Sequence, residues 1–215
     1  MSTAASGAHV VVHVDAALLV VEKPSGLLAV PGRGPARADS VWWRVCEAHA
    51  DARIVHRLDQ PTSGLMVFAR GAHAHRRLAR AFERREVEKR YVAVVDGSVA
   101  ADAGTVELPI GPDWPHRPRQ QIAPLRGRAS VTHWRVLARS ADGRSTRLEL
   151  TPVTGRTHQL RVHLQALGHP ILGDALYAPA EAQARAPRLL LHASRLALAH
   201  PFEHRSLVFE SAVPF

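Results

Sequence analysis

Apolar residues along the chain fall mainly into short runs bounded by turn residues, a pattern of strands with a few helices between them. Residues 10–14 and 18–21 predict two strands around a turn at Asp15. Pro24, Gly26, Pro31, Gly32, Gly34 and Pro35 then predict a long loop. A short helix is expected over 41–49 with Ser40 as its N-cap, followed by a buried strand over 65–69. Residues 71–87 read as a basic amphipathic helix, with Leu78, Ala81 and Phe82 on its apolar side. Strands are expected over 91–95, 105–110, 130–137 and 147–151. In 157–167, Leu160, Leu164 and Leu167 recur at helical spacing and Gly168 sits where a C-terminal cap belongs. Strands over 189–192, 196–199 and 207–210 close the chain.

Strands dominate without regular βαβ alternation, so the expected class is α+β with a mixed, mainly antiparallel sheet. The stretch 111–127, rich in Pro and Arg, reads as a surface loop or a linker. No shift in composition accompanies it, and 215 residues fit one large domain, so a single domain over 9–215 is expected behind a loose end at 1–8.

Composition narrows the class. With 46% hydrophobic residues the chain can bury a sizeable core, which excludes a mainly disordered protein. No apolar run approaches the roughly 20 residues needed to cross a bilayer. Neither a signal peptide nor a second cysteine beside Cys46 is apparent, so a cytoplasmic protein without disulfides is expected. Lys and Arg number 28 against 19 Asp and Glu, a net charge of +9. Only Lys23 and Lys89 are lysines. Arginine pairs bidentately with phosphate and stacks on bases, and a basic balance fits a polyanionic partner. A GC-rich coding bias explains the arginine preference equally well, but not the net charge.

Two clusters could carry chemistry. The first is His56-Arg57-Leu58-Asp59-Gln60-Pro61-Thr62-Ser63-Gly64, a reactive-looking turn between apolar segments. Arg57 flanks Asp59, and Thr62 and Ser63 could donate to its carboxylate, keeping it ionised as a nucleophile or base. The same residues also suit a turn-stabilising aspartate. The second runs from Thr154 to His163, where helical spacing puts His158, Arg161 and Gln165 on one face. That face could offer a guanidinium to a carboxylate, or could simply be solvated. Tyr91, beside Lys89 and Arg90, could stack on a base or be a strand aromatic. Trp114 and Arg117 lie in a basic loop that could touch RNA. The 14 histidines are scattered, without HExxH spacing, so no metal site is expected.

These segments resemble the RluA-type RNA pseudouridine synthase family. The resemblance rests on VVEKPSGLLAVPGRG at 20–34, HRLDQPTSG at 56–64, KRYVA at 89–93 and LPIGPDWPHRPRQ at 108–120. It continues through TGRTHQLRVHLQALGHPILGDALYA at 154–178 and APRLLLHA at 186–193. It implies an α+β catalytic domain with an RNA-binding cleft, acting on structured RNA without a cofactor, in a subgroup that modifies tRNA and 23S rRNA. It further implies Asp59 as the essential aspartate, Tyr91 as the residue packing on the target base and Arg161 as the partner of Asp59. Arg57 would attend the space left by a flipped nucleotide. A monomer needing no obligatory protein partner is expected. Rival readings are a relative acting on one RNA class only, a catalytically silent RNA-binding or ribosome-assembly factor, and a histidine-rich metal hydrolase.

Overall fold

The computed structural model describes residues 10–34 and 37–215. The loose end expected at 1–8, and Pro35 of the expected loop, lie outside the described residues. In chain order the elements begin β1 (Val10–Val14), β2 (Leu18–Lys23), α1 (Val41–Ala48), β3 (Ala52–Ile54), β4 (Ser63–Arg70) and α2 (Gly71–Glu83). They continue with β5 (Glu88–Asp96), β6 (Ala103–Glu107), β7 (Ile110–Pro112), β8 (Gln120–Ile122), β9 (Val131–Arg139) and β10 (Ser145–Pro152). The last are α3 (Gln159–Ala166), α4 (Ala180–Ala184), β11 (Leu191–Ala199) and β12 (Ser206–Glu210). The class is α+β.

The chain divides into two compact units. The first holds residues up to Glu88 with Ala193–Ala212. Its sheet order is β1-β2-β4-β11, with β3 also pairing β4 and β12 pairing β11. The β1–β2, β2–β4, β3–β4 and β11–β12 ladders are antiparallel. β2 and β4 carry continuous apolar runs because they are buried almost throughout. Leu18, Val20, Leu65 and Val67 pack with Ala74 and Leu78 of α2 and with Leu196 and Leu198 of β11. Each of the valines and leucines contributes roughly 1.5–3 kcal/mol when fully buried. α1 begins where Ser40 accepts a hydrogen bond from the Trp43 amide at 3.2 Å, as its sequence requires. β1 is the sheet edge, and Val10, Val11, Val12 and Val14 on it are all exposed.

The second unit holds Lys89–His192 and Val213–Phe215. Here β5, β10, β9 and β6 form an antiparallel ladder in that order. Ala93, Val95, Trp134, Leu148 and Leu150 from its strands pack with Leu160 and Leu164 of α3. The stretch 111–127 is more than a loop or linker. β7 and β8 pair within it as an antiparallel hairpin, and Ile110 and Ile122 pack with Val162 of α3 and with Tyr177. β11 is continuous where two strands were expected.

Candidate active site

Asp59 sits in the connection between β3 and β4, half-buried, between the buried Leu58 and Thr62. Its backbone carbonyl accepts a hydrogen bond from the Thr62 amide at 3.1 Å, closing a turn. Lys23, at the end of β2, fixes this turn from below. Its side chain is fully buried, and its ammonium donates to the carbonyls of Pro24 at 2.8 Å, Leu27 at 2.7 Å and Gln60 at 2.8 Å. Gly26 N donates to Gln60 O at 2.9 Å, Gln60 Nε2 donates back to Gly26 O at 2.9 Å, and Ser25 Oγ donates to Pro61 O at 2.7 Å. The loop after β2 and the Asp59 turn are thus one bonded piece. On the other side His56 accepts from the Val67 amide at 3.0 Å and stacks on Phe82. Gly64 has φ +113, and a Cβ there would lie 2.3 Å from Ala193 O, so only glycine lets β4 begin at this point. Arg57 is exposed.

The helix α3 departs from the expected polar face. His158 precedes it as the N-cap in a left-handed conformation, Gln165 is exposed, and Arg161 is buried. Arg161 is held by Asp174, itself fully buried, through Nε to Oδ2 and Nη2 to Oδ1, both at 2.7 Å. This bidentate geometry suits a guanidinium fork and fixes its plane. Asp174 Oδ1 also accepts from the amides of Leu176 at 2.9 Å and Tyr177 at 3.2 Å. The Tyr177 ring lies 5.0 Å from the Arg161 guanidinium carbon, and its hydroxyl is 2.6 Å from His158 Nδ1. Two further buried polar residues of α3 are satisfied in one chain. Gln159 Nε2 donates to Thr132 Oγ1 at 3.0 Å, that hydroxyl reaches His163 Nδ1 at 2.9 Å, and His163 Nε2 donates to Leu108 O at 3.0 Å. Burial holds the His163 pKa below its ordinary value, the bond to Leu108 opposing in part.

Tyr91 is half-buried on β5, opposite Leu150 of β10, and packs against the second unit's core. Trp114 lies in the β7–β8 loop, 65% exposed, with the Arg117 guanidinium carbon 4.5 Å from its ring centroid. The stack holds an indole and a guanidinium together at the surface. The structure therefore groups Arg57, Asp59 and Thr62 in one turn, pairs Trp114 with Arg117, and joins His158 to Arg161 through Tyr177. Lys23, Asp174 and Tyr177 were not read from sequence as site residues. Their only local signal is an Asp three residues before a Tyr in a Gly-Asp-x-x-Tyr turn, and a Lys-Pro pair ending a strand. Among the described residues no group of three or more His, Cys, Asp or Glu has metal-binding spacing.

Comparisons with known proteins identify the family. Residues 17–166 match the family described as RNA pseudouridylate synthase. The chain is 50% identical over 192 residues to the dual-specificity RNA pseudouridine synthase RluA of Yersinia pestis, covering 89% of this chain and 93% of that one. It is 47% identical over 206 residues to the protein of the same name from Escherichia coli strain K12, covering 96% and 94%. Among solved structures, human RNA pseudouridylate synthase domain containing 1 superposes with a TM-score of 0.82 at 28% identity, covering 100% of this chain and 87% of that chain. Two independent likenesses, in sequence and in fold, converge on one chemistry: the chain belongs to the RluA-type RNA pseudouridylate synthase family and is an RNA pseudouridine synthase.

Proposed function

We propose that the enzyme isomerises uridine to pseudouridine in stem-loop RNA of two classes, the tRNA anticodon arm and a 23S rRNA hairpin, with Asp59 as its catalytic carboxylate. The observation that carries this is the Asp59 turn: a half-buried carboxylate on a backbone locked by Lys23 can meet a sugar without reorganising. The target nucleotide is flipped out of its stack at a cost of a few kcal/mol. Trp114, Arg117, His158 and Thr62 serve substrate binding, and Arg57 attends the space left by the flipped nucleotide.

The N1–C1′ bond then breaks, the uracil turns, C5 bonds to C1′ and the C5 proton leaves. Asp59 serves either by attacking C1′ or by taking the C2′ proton; both uses require it ionised. Arg161, its plane fixed by Asp174, is assigned as the basic partner that aims Asp59, while the Tyr91 ring keeps the detached uracil in place. The isomerisation conserves every heavy atom and involves no net oxidation, so it calls for no cofactor. The working form is a cytoplasmic monomer without an obligatory protein partner.

The test follows tritium released from C5 of uridine in tRNA and 23S rRNA stem-loops. Asp59→Asn should abolish release while RNA binding, carried mostly by phosphate contacts, stays within about tenfold. Arg161→Met should be slow, because the carboxylate of Asp59 loses the cation assigned to aim it. Normal release by Asp59→Asn would overturn the assignment. Release from only one RNA class would reduce the enzyme to a single-substrate relative.

A further inference from the structure

A buried tyrosine hydroxyl needs hydrogen-bond partners, and Tyr177, only 3% exposed, has them on two different elements. It accepts from the backbone amide of Gln120, the first residue of β8, at 2.8 Å, and it is 2.6 Å from His158 Nδ1 at the cap of α3. Two guanidinium groups also face its ring, that of Arg161 at 5.0 Å and that of Arg119 at 5.4 Å. The two cations differ in their counter-charge. Arg161 is neutralised by Asp174. Arg119 has no carboxylate within ion-pair distance among the described residues. Its Nε is shielded from solvent yet has no acceptor. A buried donor without an acceptor is costly, and an arriving anion would remove that cost. Arg119 is also the immediate neighbour of Gln120, so the amide that Tyr177 grips and the cation that its ring holds belong to one peptide unit of the hairpin.

We propose that Arg119 binds a backbone phosphate of the RNA, and that Tyr177 is a positioning residue tying this contact to Arg161. The reading rests on the role given to Arg161 above. A phosphate on Arg119 fixes the start of β8. The Tyr177 hydroxyl carries that fixation to the cap of α3, and its ring lies against both guanidinium groups. Binding energy gathered at the RNA backbone is thereby spent on holding the arginine of the reacting centre in place.

The experiment uses the full chain and a C5-tritiated stem-loop RNA, measuring the salt dependence of binding together with kcat and KM. Arg119→Gln should reduce the slope of log affinity against log salt by about 0.7–0.9, the share of one phosphate, and raise KM. Arg119→Lys should restore the slope, since the charge returns. Tyr177→Phe keeps the ring and deletes the hydroxyl, so kcat should fall about tenfold with the slope unchanged. Should that variant fail to fold, His158→Ala removes the hydroxyl's other partner and should show the same loss in kcat. An Arg119→Gln slope equal to wild type would overturn the phosphate contact, and a wild-type kcat in the hydroxyl-deleting variant would overturn the positioning role. The slope is an equilibrium quantity, readable even if Asp59 were not the catalytic carboxylate, so the two readings fail separately.

Discussion

Lys23 shows what one buried charge can do for a reacting turn. Three carbonyls converge on its ammonium, one of them from a residue 37 positions further along the chain. Replacing it by Met preserves much of the volume but takes the ammonium from the Pro24 and Leu27 carbonyls, each a loss of about 1–3 kcal/mol, while Gln60 O keeps the Gly26 amide. Relief from burying the ammonium offsets part of this. Lys23→Met should therefore destabilise the fold by about 3 kcal/mol or more in urea unfolding and slow catalysis by loosening the Asp59 turn. A change below about 1 kcal/mol would mean that the turn is held by Gln60 and Ser25 alone. The same residue explains the limits of the sequence. The Asp59 turn was legible because its parts are neighbours from His56 to Gly64 and spell a turn. Lys23 was not, because a lysine that ends a strand beside a proline reads as exposed until its acceptors are known. Asp174 and Tyr177 escaped for the same reason: their partners, Arg161 and His158, lie 13 and 19 positions away.

Among the elements, those with long apolar runs were the readable ones. β2 and β4 are buried along nearly their whole length, and α1 carries its cap in its sequence. The β7–β8 hairpin was missed because three residues per strand, one of them proline, give periodicity nothing to act on. α3 misled in a different way. His158, Arg161 and Gln165 were expected on one polar face, yet Arg161 is buried, as are its neighbours Gln159 and His163, with partners supplied from other elements. The turn between β1 and β2 offers a measurable case. Burial of the Asp15 carboxyl opposes its charge, but bonds from His13 and from the Ala17 and Leu18 amides, with His200 nearby, bring its pKa down to about 2 from 3.8. A depressed carboxylate pKa adds stability that is complete above the unfolded value and disappears as pH falls through the folded one. Asp15→Asn should thus be less stable than wild type at pH 7, with the difference shrinking between about pH 4 and pH 2. Urea unfolding at three pH values measures this; a pH-independent difference would assign the effect to turn geometry instead of charge.

For the molecule as a whole, charge was the most informative number in the sequence, since +9 fits a polyanionic partner before any motif is read. The division into two compact units could not be read from composition, because apolar core segments occur in both. No helix among the described residues is long and apolar enough to cross a membrane. The exposed valines of β1 carry a further consequence, one that concerns the behaviour of concentrated solutions. An edge strand without lysine, proline or any acidic residue has only its shortness and the register shift between Val11 and His13 as guards against pairing with another copy. Long-range repulsion between molecules of charge +9 is then the remaining protection, and salt removes it within about 10 Å at 0.1 M. Light scattering should accordingly rise with ionic strength in RNA-free protein, and Val10→Lys, which places a charge on the strand, should suppress the rise. Colloidal solubility of this enzyme thus hangs on the same positive charge that RNA neutralises, so a partly neutralised complex is the state in which its edge is least protected.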